Sequence, residues 1–156
     1  MSDLFDYLIK NNITVATAES CTGGNIAAEF VERAGISSVF LLGAVTYANS
    51  AKMRVLSVRE QTLKKYGAVS FECALEMLKG AQKASGADAV VCTTGIAGPG
   101  GATKNKPVGL VFIGVRYKNK SKVLKCFFQG SREEVISKAT ARALKLLEKT
   151  VKKVSF

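Results

Sequence analysis

Apolar residues along the chain switch between two spacings, and the switches mark the elements. Leu4, Phe5, Leu8 and Ile9 recur at helical intervals, so a first helix is expected from Ser2, which can cap it, to about Asn11 and Asn12. The β-branched run from Ile13 to Ala18 reads as a strand. Helical spacing returns with Ile26, Ala27, Phe30 and Val31, and Gly35 has the character of a residue just past a helix C-terminus. A second strand is expected over Ser38 to Tyr47, then a polar turn and short helical pieces from Ala51 to Leu56 and Glu60 to Tyr66. Ser70 opens a longer helix, with Ala74, Leu75, Met77, Leu78 and Ala81 on one face, that ends at Gly86. Ala87 to Thr94 is almost continuously apolar, as strands covered on both faces are.

The pattern then changes. A glycine-rich stretch from Gly95 to Gly101 and a polar loop to Pro107 lead into two alternating runs, Val108 to Tyr117 and Lys122 to Phe128, expected to pair as a hairpin turning at Lys118 to Ser121. The last helix starts at a capping box, Ser131 answered by Glu134, with Val135, Ile136, Ala139, Ala143, Leu146 and Leu147 on one face. Helices alternating with strands, then a strand pair before a final helix, predict an α/β fold: a single layered domain over residues 1–156 with a mixed, partly parallel sheet flanked by helices.

Composition narrows the function. A chain of 156 residues, 47% apolar, suits one full core. The start has neither the charged nor the long apolar region of a secretion signal, and no apolar run reaches the roughly 20 residues of a membrane span, so a soluble, cytoplasmic protein is expected with no membrane partner. The formal charge of +11 invites a nucleic-acid reading. The lysines are spread along the chain, however, with local density at Lys118, Lys120, Lys122 and Lys125 and again at Lys149, Lys152 and Lys153, and with no RNP-type aromatic pattern and no zinc-finger spacing, so nucleic acid is not expected as a partner; attraction of an anionic small molecule is. The four cysteines form no CxxC pair, which argues against zinc and against a disulfide scaffold. Cys73, Cys92 and Cys126 sit in apolar stretches as core filler, and Cys21 stands apart.

There is no histidine in the chain. That removes Ser-His-Asp triads, Cys-His pairs and histidine-ligated metal, leaving lysine, tyrosine or a carboxylate to activate a nucleophile. Ser20 and Cys21 lie in AESCTGG, where the first strand hands over to a helix N-terminus rich in backbone donors, including Thr22, Gly23 and Gly24. The second glycine turn (Gly95, Ala97, Gly98, Pro99, Gly100) follows another strand, so the two turns would meet at the carboxyl ends of parallel strands. Tyr47 and Lys52, in TYANSAK, are the patterned candidates to activate Ser20, although spacing alone favours an ordinary solvated lysine. Thr94 offers a hydroxyl beside the second turn, and Thr93 fits plain strand propensity better. Glu19 is either an acid/base group or a charge near a helix N-terminus, and Arg132 either meets a phosphate or carboxylate or lies on the surface.

TAESCTGG, GAVTYANSAK, GAVS, TTGIAGPGG and KPVGLVFIG together closely resemble the CinA C-terminal domain family, the nicotinamide mononucleotide amidases, in order and over nearly the whole chain. The resemblance implies hydrolysis of the carboxamide of nicotinamide mononucleotide to nicotinic acid mononucleotide and ammonia, without metal or other cofactor, in pyridine-nucleotide salvage. It implies Ser20 as nucleophile, Lys52 as general base, Tyr47 as an assisting hydroxyl and Thr94 as a further active-site group, with Cys21 to Gly24, Gly95 to Gly100 and Arg132 about a mononucleotide. Self-association into a homo-oligomer is expected, and the chain resembles a stand-alone form without the large N-terminal domain of many relatives. Lys104, where relatives usually carry an acid, and the Gly130, Ser131, Arg132 sequence, where they often read GDR, depart from the pattern and bear on substrate preference. Two alternatives stay open: an amidase for another amide, and a non-catalytic nucleotide or nucleic-acid binding module.

Overall fold

The computed structural model describes residues 2–153; the side chains of Ser2 and Asp3 lie outside the described residues, and with them the cap expected of Ser2. Five strands form one sheet in the order β2-β1-β3-β4-β5. They are β1 (Val15–Glu19), β2 (Phe40–Val45), β3 (Ala89–Gly95), β4 (Leu110–Tyr117) and β5 (Lys120–Phe127). β1 pairs parallel with β2 and β3, and β4 and β5 add on antiparallel, so the sheet is mixed as expected.

Strand alternation explains the apolar runs. Val15, Ala89, Val91, Val111, Ile113 and Val115 face one core together with α1 (Ser2–Lys10), α2 (Asn25–Val31) and α6 (Arg132–Lys152). Ala16, Ala18, Val90, Cys92, Leu110 and Phe112 face a second core with α5 (Phe71–Ser85). Both sides of the central strands are covered, so apolar residues predominate on both faces and the buried polar ones, Thr17, Glu19, Thr93 and Thr94, lie from mid-strand to the carboxyl ends. The short α3 (Asn49–Leu56) and α4 (Glu60–Tyr66) lie on the α5 side, where Leu56 and Leu63 join the core. Among the described residues no helix is long and apolar enough to cross a membrane.

Three expectations shift. The second helix stops at Val31, and Gly35, with φ +83°, precedes a separate 3₁₀ turn (Ile36–Ser38) instead of closing that helix. β2 consequently starts at Phe40 and ends at Val45, which leaves Tyr47 in the following turn. The hairpin turn is tighter than its polar residues suggest: Tyr117 pairs with Lys120, and Lys118 takes φ +55°, the positive value that two-residue hairpins favour.

The topology fixes where chemistry can occur. From β1 the chain passes through α2 on one face to β2, and from β2 through α3, α4 and α5 on the other face to β3. β1 therefore lies where the two connections diverge, and the crevice beyond its carboxyl end is where open α/β sheets bind ligands.

Candidate active site

Ser20 follows the last residue of β1, and its amide donates to the Thr93 carbonyl of β3, anchoring it to the neighbouring strand. Glu19 beside it is fully buried. One carboxylate oxygen accepts from the Thr22 hydroxyl (2.6 Å) and from the amides of Gly24 and Ile26 (both 3.1 Å); the other accepts from the Ala27 amide at 2.8 Å. Because the Thr22 proton goes to Glu19, the 2.7 Å contact between Thr22 and Thr93 must have Thr93 as donor. Of the two readings open for Glu19, the structure favours a charge that caps a helix N-terminus. Gly24, with φ +100°, makes the bend that turns these amides inward, a conformation other residues reach only with strain. Gly23 donates to the Ser20 carbonyl and Asn25 to that of Thr22. Among the described residues, the Cys21 and Thr22 amides are the two in this turn without an oxygen partner.

Lys52 is the fourth residue of α3, and its side chain runs back toward the start of that helix, as helical side chains do. It is 1% exposed. Its Nζ lies 2.8 Å from the Thr46 carbonyl, 3.2 Å from the Tyr47 carbonyl and 3.0 Å from Ser20 Oγ. No carboxylate pairs with it among the described residues. Burial holds its pKa below the ordinary lysine value. The neighbouring thiols Cys73 and Cys21 pull the other way as anions, but burial pushes each of them up to about 11, so both are neutral near pH 7.

This environment sets the direction of the hydrogen bonds. Two of the three neighbours are carbonyls, which only accept, and a neutral amine has two protons to give them. As an ammonium it donates to all three neighbours, Ser20 Oγ included; in the neutral form its lone pair faces the one neighbour that can donate, the Ser20 hydroxyl. A hydroxyl donating to a buried, uncharged amine is an activated nucleophile.

Ser20, Cys21, Tyr47, Lys52, Thr94, Gly95, Ala97, Gly98, Gly100 and Arg132 line one cavity of about 340 Å³, together with Asn49, Ala68, Val69, Ile96 and Gly101. Gly98 has φ +85°, and a side chain there would meet Val108 at 2.5 Å, so the turn's course depends on glycine. Thr22, Gly23, Gly24 and Pro99 are not on the cavity wall; the first three build the turn behind it. Two hydroxyls sit differently from expectation. Tyr47 is 59% exposed and its phenol accepts from Arg132 Nη2 (2.9 Å) instead of touching Ser20 or Lys52; it reaches Lys52 through its backbone carbonyl. Thr94 donates to the Ala68 carbonyl at 2.8 Å and so holds the wall segment between α4 and α5. Arg132 also donates to the Gly98 carbonyl at 2.7 Å, bridging the second glycine turn and Tyr47 at the cavity mouth.

The CinA C-terminal domain model matches residues 1–151. The chain belongs to that family. Among curated relatives, competence-damage inducible proteins of Clostridium novyi and of Clostridium botulinum (strain Langeland) are 51% and 48% identical over 91% and 94% of this chain. The chain spans about a third of the length of those relatives, 34% and 36% respectively. Among solved structures, the competence damage-inducible protein A of Klebsiella pneumoniae superposes with a TM-score of 0.95 at 34% identity, covering 99% of this chain and 96% of that one. A competence/damage inducible protein of Agrobacterium tumefaciens gives 0.91 at 39% identity, covering 94% and 90%.

Within this CinA domain, spacing had not revealed that Glu19, Thr22 and Thr93 form one locked network behind Ser20. A signal existed in AESCT: an acid followed three residues later by a hydroxyl, at the entry to a helix. The Thr46 carbonyl and Ala68 had no sequence signal, because backbone acceptors are the same in every residue.

Proposed function

We propose that this CinA domain is a serine-lysine amidase that converts nicotinamide mononucleotide to nicotinic acid mononucleotide and ammonia. The observation that carries the reading is the 3.0 Å contact between Ser20 Oγ and a buried Lys52 amine in a chain without histidine. Ser20 Oγ attacks the amide carbon while Lys52 accepts its proton. The oxygen of the tetrahedral intermediate gains charge, and the Cys21 amide, at the cavity wall and without an oxygen partner, supplies a donor for it. Lys52, now an ammonium, returns the proton to the departing nitrogen, which leaves as ammonia. Water, deprotonated by the same amine, then releases the acid and restores Ser20. Arg132, the permanent cation on the cavity wall, is placed to meet the 5'-phosphate. Cys21, a neutral thiol, shapes the pocket and does not compete as nucleophile.

Ammonia release is to be measured with nicotinamide mononucleotide and nicotinamide riboside side by side. Turnover of the mononucleotide, a weaker response to the riboside, and complete loss in a folded Ser20→Ala variant are expected. Equal turnover of both would remove the phosphate from recognition; unchanged turnover in Ser20→Ala would remove the nucleophile.

A further inference from the structure

The net positive charge of the chain comes from one part of it. Residues 1–99 carry nine Lys or Arg and nine Asp or Glu, whereas residues 100–156 carry fourteen against three, so the whole excess of +11 belongs to the later segment. Such asymmetry between parts of a chain is a mark of polyanion binding. The fold gathers these charges further. β5 is the outer strand of the sheet, α6 packs beside it, and between them runs a groove of about 440 Å³. Lys122 of β5 and Arg142, Lys149 and Lys153 at the α6 side line it, over a floor of Leu124 and Leu146.

On α6 the cations Lys138, Arg142, Lys145 and Lys149 follow one another at intervals of three or four residues, hence along one face, and Lys153 follows at its C-cap. At 1.5 Å per residue the four on the helix extend over about 16 Å. Like charges at this spacing repel, a cost that an anionic partner would lower. Among the described residues no carboxylate lines the groove. The acids of α6 lie outside the groove: Glu134 accepts from the Ser131 amide and faces Lys138, Glu148 pairs with Lys152, and Glu133 borders a hollow beside α2. Arg142 is held at the groove by its contact with the Cys126 thiol.

A linear row of cations in a groove matches a linear row of phosphates better than a lipid surface. Interfacial binding needs an apolar anchor beside the cations. Among the described residues the large exposed apolar side chains lie elsewhere; Phe127, the one on β5, has the opposite parity to Leu124 and Cys126, which pack toward α6.

We propose that the β5–α6 groove binds the sugar-phosphate backbone of nucleic acid without sequence preference. None of its lining residues lines the catalytic cavity, so the proposal stands apart from the amidase reading. The test is fluorescence anisotropy with labelled oligonucleotides of about 20 nucleotides, single-stranded and duplex, between about 50 and 200 mM salt. Three proteins are compared: wild type, the groove variant Lys122→Gln/Lys149→Gln/Lys153→Gln, and a control of equal charge loss on the other face of the sheet, Lys65→Gln/Lys79→Gln/Lys83→Gln. All six positions are exposed, so the variants should fold, which thermal melts verify. The groove variant should bind about tenfold or more weakly, with a salt slope shallower by about 2 to 3; the control should change affinity by less than about twofold. Lys149→Gln alone should make the slope shallower by about 1. No measurable binding by wild type, equal weakening in both triple variants, or tighter binding to phosphatidylserine vesicles than to either oligonucleotide would overturn the proposal.

Discussion

The turns after β1 and β2 each bury a charged residue type, and they treat it in opposite ways. Glu19 has its carboxylate met by three amides and a hydroxyl, so the protein replaces the water it lost. Lys52 meets two carbonyls and a hydroxyl but no anion, and burial lowers its pKa. A buried charge that is fully solvated by the backbone serves architecture. One that is left short of partners gives up its proton more readily, and its neutral form is a base. The two turns meet at Ser20, one fixing its backbone and the other holding the Lys52 amine 3.0 Å from its oxygen.

The largest effect that would break this contrast is expected at Lys52. Lys52→Met should reduce amide turnover on the order of 10²–10⁴-fold while leaving the thermal midpoint equal or higher, because methionine fills the site without a buried amine to desolvate. A clear drop in the midpoint would mean that the amine contributes to stability, against the comparison. Glu19→Gln should do the reverse at the other turn. The new NH₂ would face an amide donor, whichever way the group is set, and urea unfolding should show a loss of about 1.5–3 kcal/mol.

The pH dependence of stability sharpens the same point. Between the lowered pKa of Lys52 and its ordinary value of 10.5, the unfolded chain holds a proton that the folded chain has released. Stability contributed by Lys52 therefore rises with pH across that window. Urea midpoints of wild type, relative to Lys52→Met, should climb as the pH rises toward 10.5 from below. Smaller still, Thr94→Val removes the bond to the Ala68 carbonyl and should cost about 1 kcal/mol. Tyr47→Phe, which removes only an exposed acceptor for Arg132, should raise KM a few-fold with kcat nearly unchanged; a large fall in kcat would restore the phenol to proton transfer.

Much of the fold was legible in the sequence because period and punctuation agreed. Ser70 and Ser131 cap α5 and α6, and the unbroken apolar run of β3 reflects burial on both sides. Boundaries failed where a glycine had two uses: Gly35 closes a helix as readily as it opens a 3₁₀ turn, and only the packing of Ile36 into the core decides. At the site, the missing histidine restricted the base, and motif resemblance singled out Ser20 and Lys52. Spacing alone could not. Lys52 reads as a solvated lysine until the fold buries it, and the lowering of its pKa comes from that burial, which no residue type encodes. Tyr47 and Thr94 were placed in the right cavity, but their hydroxyl partners depend on tertiary neighbours, Arg132 and Ala68.

Titration of the Lys52 side chain by NMR in the free protein, assigned by comparison with Lys52→Met, tests the proposed base most directly. Deprotonation with a midpoint clearly below 10.5 is predicted. A midpoint at or above that value would leave Ser20 facing an ammonium at working pH, and activation of its hydroxyl by a neutral amine would be contradicted.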